Sequence, residues 1–155
     1  MAGLYFPKKE NLTPFSEEQM KAVRAAVELL KKESLPNEWR ADLGGMKLFR
    51  DAGMTGDNGV MGYTSYLKPK EILIAGYLVD QLMWGGEVPN NEMSMSTIVH
   101  ELTHTAQRGW LFGLLWLVLN IPGIDRLTLE RWAVENEEVA GEVLSKRYAE
   151  MRKAK

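Results

Sequence analysis

An α+β fold is what the chain predicts, on three observations. A capped amphipathic helix stands near the start, short β-type runs fill the middle, and helical periodicity returns in the second half. The first helix starts at Ser16, which has capping-box spacing with Gln19, and Phe15 and Met20 are placed for a hydrophobic staple. Met20, Val23, Val27 and Leu30 then recur at helical spacing, and Pro36 follows the end. The runs "MKLFR", "GVMGYTSYL" and "EILIAG" predict strands, separated by "DAGMTGDNG" and by Lys68-Pro69-Lys70. "DAGMTGDNG" lacks the ligand spacing and final glutamate of an EF-hand, so it reads as a Gly-rich turn. "GYLVDQLMW" predicts a short helix. A longer helix runs from about Met93 or Ser94 through Gln107 or beyond, and a last amphipathic one covers about residues 127–148 before a basic, solvated finish.

Composition narrows the function. The 155 residues suit a single domain, 1–155, with no repeat or linker. A net charge of −2 gives no electrostatic reason to expect nucleic acid as a partner. With no cysteine, a bound metal must be held by His, Asp, Glu or water. The start has no basic n-region followed by an apolar h-region. No Sec signal is expected, which fits a cytoplasmic protein or one exported by a specialised, signal-less route. The apolar run from Trp110 to Ile124 falls short of the ~20 residues of a membrane span. A buried helix is the expectation, with membrane contact as the lesser alternative. Trp39, Trp84 and Trp110 are read as core residues.

The two histidines of the chain stand four apart, in His100-Glu101-Leu102-Thr103-His104. On a helix, Met95, Ile98, Val99, Leu102, Ala106 and Trp110 share one side. His100 and His104 lie nearly opposite, with Thr97, Glu101 and Arg108. Residues four apart are neighbours, so both imidazoles reach one ion. This is the H-E-x-x-H pattern, with Glu101 as general base. Two histidines make half of a tetrahedral zinc shell, and a catalytic site needs one more protein ligand beside its open position. No third histidine exists, so that ligand must be a carboxylate. On the last helix, Leu129, Trp132, Ala133, Val139, Ala140, Val143 and Leu144 define the expected buried stripe. Glu137 borders it and is the preferred ligand, with Glu138 and Glu130 as alternatives. Ala140 and Gly141 are small enough for close helix approach. Asn136, near the stripe's middle, needs partners for its amide, either a metal ligand or a helix-to-loop bond.

"HELTHTAQ" and "ENEEVAGEV" together resemble the zincin metallopeptidases, in the gluzincin arrangement of small bacterial and phage zincin-like domains. The resemblance covers roughly residues 59–144. It implies a minimal zincin-like domain with an N-terminal helix, a small mostly antiparallel sheet, an active-site helix and a C-terminal ligand helix. It also implies one Zn²⁺ per chain, a peptide or protein substrate, and Glu-x-x-Ala placing the third ligand at Glu137. Many relatives carry Asp after that alanine, bonded to a ligand histidine. Here Gly141 stands there, so that partner is absent or comes from elsewhere. In such enzymes an edge strand holds the peptide, and Ile72, Leu73, Ile74 and Ala75 are the candidates. Relatives supply an oxyanion donor from Tyr, His or Arg, which points to Tyr148, Arg108 or Arg131. The alternative to hydrolysis is a catalytically silent zincin-like module that binds metal and acts as a scaffold.

Overall fold

Helix and sheet pack around one hydrophobic core in the computed structural model, which describes residues 5–57, 60–64, 70–82, 90–107 and 130–154. A 3₁₀ turn at Lys9–Asn11 leads into β1 (Leu12–Pro14), then helix α1 (Glu17–Lys31). β2 (Lys47–Asp51), β3 (Gly62–Thr64) and β4 (Glu71–Ala75) complete a four-stranded sheet. The short α2 (Gly76–Val79) and a 3₁₀ turn at Asp80–Leu82 precede the long helices α3 (Glu92–Gln107) and α4 (Arg131–Lys153). This is the expected α+β class.

Helix α1 begins as its sequence dictates. The Gln19 amide donates to Ser16 Oγ at 3.1 Å, and the Ser16 amide donates to Gln19 Oε1 at 2.8 Å. Its buried face carries Ala22, Val23, Ala26, Val27 and Leu30. The Asp51 turn closes as a plain turn: Asp51 Oδ1 accepts from the Gly53 amide at 2.8 Å and Oδ2 from the Tyr5 hydroxyl at 2.6 Å.

The strand order is β1-β2-β4-β3. β1 and β2 pair antiparallel, β2 and β4 parallel, and β4 and β3 antiparallel. One expectation is corrected here. Ile72, Leu73, Ile74 and Ala75 do not form an edge, because β4 is paired on both sides and all four residues are buried. A run of continuous apolar residues is what an interior strand requires. Among the described residues the edge on that side is β3.

Helices α3 and α4 pack against each other as an antiparallel pair. The approach is close: a Cβ added at Gly141 would lie 2.8 Å from Ser96 Oγ. Ala133 and Ala140 are fully buried in the same seam. Polar contacts lock its register. The Asn136 amide donates to Thr103 Oγ1 at 2.9 Å and to the Asn37 carbonyl at 3.0 Å, and its oxygen accepts from the Asn37 amide at 2.9 Å. Of the two uses expected for Asn136, it makes the helix-to-loop bond. The Arg40 amide also donates to the Leu102 carbonyl at 3.1 Å, so the segment after α1 is tied to both helices. Trp39 packs partly buried against the core. Trp84, Trp110 and the apolar run to Ile124 lie outside the described residues. Among the described residues no helix is long and apolar enough to cross a membrane.

Substituting Asn136→Ala removes three hydrogen bonds at one buried position. Urea denaturation is expected to register a loss of about 1–3 kcal/mol, the usual cost of stranding buried polar partners.

Candidate metal centre

The α3 helix is buried more completely than its periodicity predicts. Met95, Ile98, Val99 and Leu102 face the core as expected, but Thr97, Glu101, Thr103 and Thr105 on other faces are buried too. Strand β3 and helix α4 cover the side expected to be solvated. His100 and His104 are therefore set in a seam between elements, their ring centroids 4.9 Å apart and their planes at 72°.

Each imidazole has one nitrogen committed. His100 Nδ1 lies 2.6 Å from Glu137 Oε1, and His104 Nδ1 lies 2.8 Å from Gln107 Oε1. Both partners present oxygen, so each Nδ1 carries the hydrogen and donates it. The other nitrogens converge. His100 Nε2 is 2.7 Å from Glu130 Oε1, and His104 Nε2 is 3.0 Å from Glu130 Oε2. His100, His104 and Glu130 offer three ligand atoms within 4.8 Å of one another, the metal-capable group among the described residues.

This geometry corrects the placement of Glu137, the preferred third ligand. Glu137 meets the back of His100, on Nδ1, and Glu130 meets both Nε2 atoms. The reason lies in α4. Its buried stripe runs through Ala133, Asn136, Ala140, Leu144 and Tyr148, while Trp132 is exposed. Glu130 and Glu137 are seven residues apart, which is almost two full turns, so they share one angular position beside Ala133. The antiparallel packing then sets Glu130 opposite His104 and Glu137 opposite His100. Glu138 is exposed on another face. Gly141 has no side chain to offer, and the partner of His100 Nδ1 is Glu137.

The oxyanion candidates fare differently. Tyr148 is a correction: it is 1% exposed, its hydroxyl donates to Asn91 Oδ1 at 2.7 Å, and it belongs to the core. It stands eighteen residues beyond Glu130 on the same helix, about 27 Å along the axis. Arg131 has a side chain 71% exposed, turned toward Glu135 at 3.9 Å on its own helix. Arg108 lies outside the described residues.

Glu101 is 5% exposed and rests against β3, where the Thr64 hydroxyl donates to its Oε1. Neither Thr64 nor Gly62 has a signal in the linear sequence, since both depend on strand register. Beside Glu137 a groove of about 670 Å³ opens between α3 and α4, with Met61 and Met93 on its walls.

The cluster is charged when free of metal. Burial pushes the His100 imidazole down, but the carboxylates of Glu130, Glu137 and Glu101 outweigh it and hold His100 up at about 10. His104 is raised in the same way, burial being outweighed by Glu130 and Glu101. Glu130 is pulled well below the usual carboxylate range, because both histidines outweigh its burial.

Comparison with family models, with curated proteins and with solved structures gave no match to this chain. The site is therefore read from its own chemistry. The donor set fits a divalent ion: two imidazoles whose Nε2 atoms converge on one carboxylate, each imidazole oriented from behind.

A raised histidine pKa stabilises the fold fully below the unfolded value near 6.5, and this is lost as pH climbs to about 10. The lowered Glu130 pKa contributes above about 4.5 and is lost toward acid. In chelator, the Tm is expected to peak at about pH 5–6 and fall steadily from about pH 6.5 toward 10. A flat Tm across that interval would contradict the ion pairs.

Proposed function

We propose that this chain is a metal-dependent peptide hydrolase. His100, His104 and Glu130 would hold one zinc ion, and Glu101 would act as general base. The observation that carries the reading is the convergence of both Nε2 atoms on Glu130 with both Nδ1 atoms already bonded. Glu130 is 43% exposed at its side chain, so the cluster opens to solvent on that side.

Two neutral imidazoles and a carboxylate leave one position of a tetrahedral shell free, the ligand count of a catalytic rather than a structural site. A zinc ion held there would lower the pKa of a water toward ~7 and polarise a carbonyl. Glu101 stands between the two histidines in sequence and cannot comfortably share their ion. Its carboxylate takes the proton from the attacking water and passes it to the leaving amine. Glu137 and Gln107 keep each ring in the Nδ1–H form, so that Nε2 presents its lone pair to the metal. Strand β3, the edge of the described sheet beside Glu101, would receive an extended peptide by backbone pairing. The silent-module reading keeps these ligands and removes only the role of Glu101.

The test is zinc content and peptidase activity on purified variants. Glu130→Ala and His104→Ala are expected to lose near-stoichiometric zinc. Glu137→Gln keeps the ligands and weakens affinity by about 10–100-fold, the usual effect of removing an orienting partner. Glu101→Gln retains zinc and drops turnover by about 10²–10⁴-fold. Zinc kept in Glu130→Ala removes that residue from the site. Stoichiometric zinc with no turnover of a diverse peptide library by the wild type identifies the silent module.

A further inference from the structure

We propose that strand β3 is a clamp that aims the general base, with Thr64 and Gly62 as positioning residues. The proposal rests on the hydrolase reading for its effect on turnover, and on geometry alone for the clamp itself.

Glu101 is a nearly buried carboxylate, and among the described residues no Lys or Arg pairs with it. A buried acid in that position needs a hydrogen-bond donor. Thr64 supplies one, its hydroxyl donating to Oε1. Gly62 supplies space. A Cβ there would lie 2.8 Å from Glu101 Oε2, 2.9 Å from Cγ and 3.1 Å from Cδ, contacts that a real side chain could not make without moving the acid. The two residues lie two apart on one strand and so share a face, while Tyr63 between them turns to the other side and meets the Tyr5 ring edge-on at 6.0 Å.

One carboxylate oxygen is thus tied and the other is seated in a bay that only glycine leaves open. The acid retains one arrangement, which is what proton transfer in a fixed geometry requires. The register of β3 is in turn set by β4, through Gly62 opposite Ile74 and Thr64 opposite Ile72. Among the described residues the same three form the sheet edge. A peptide that added to this edge would stiffen the strand that aims the base, so substrate engagement and base alignment are coupled through β3.

The test compares Thr64→Val, which keeps the shape and removes the donor, with Thr64→Ser, which keeps the donor. With zinc content unchanged, Thr64→Val is expected to lower kcat by about tenfold at constant KM, with Thr64→Ser recovering most of it. Gly62→Ala is expected to lower kcat by up to about 10²-fold, the scale of a 1 Å misplacement. Equal losses in Thr64→Val and Thr64→Ser, or kcat unchanged in Thr64→Val, would overturn the clamp while leaving the hydrolase reading intact. A second readout needs no turnover. In metal-free protein, the Tm loss from Thr64→Val is expected to shrink in a Glu101→Met background, since the bond is already gone. Additive losses would overturn the clamp, even for a protein that hydrolyses nothing.

Discussion

An imidazole has two nitrogens, and the bond made by one decides what the other can offer. At His100 and His104 the Nδ1 atoms face Glu137 and Gln107, so the Nε2 atoms are left to meet in front of Glu130. Three partners from two helices have to be in register for that to happen. Gln107 comes for free, one turn along the same helix as His104. The two glutamates depend on α4 lying antiparallel and close, at a fixed axial offset. Small residues make this approach feasible: Ala133, Ala140 and Gly141 line the seam, and the Asn136 network pins its register.

The charges in the seam hold the cluster together electrostatically. Partial burial alone would push both histidines toward the neutral form, but the carboxylates around them favour the protonated forms. The ion pairs satisfy groups whose burial would otherwise be costly. A zinc ion would replace the protons on the two Nε2 atoms, so its binding is coupled to proton release and strengthens with pH.

How much of this was legible in the chain depended on whether the signal was local. The α1 capping box and the helical period of α3 are local, and so is the four-residue spacing of the histidines. All appear in the structure where the sequence predicts them. The identity of the edge strand was also encoded, since "EILIA" is apolar on both faces and suits an interior position. Tyr148 continues the spacing of Ala133, Asn136, Ala140 and Leu144, which marks it as core. The choice between Glu130 and Glu137 was of another kind. They share one angular position on α4, and only the axial offset between the helices separates them, which no local pattern carries. The same holds for β1, three residues including Pro14 that become a strand because β2 offers an edge, and for Thr64 and Gly62 beside Glu101.

With only two histidines in the chain, ¹⁵N–¹H correlation of the imidazole nitrogens during zinc titration reads the central claim directly. Both rings are expected to end as Nδ1–H with Nε2 bound to metal, together, and to saturate at one zinc per chain. In Glu130→Ala the shift should require far more zinc. Binding through Nδ1 of either ring, or a response from one histidine alone, would contradict the account.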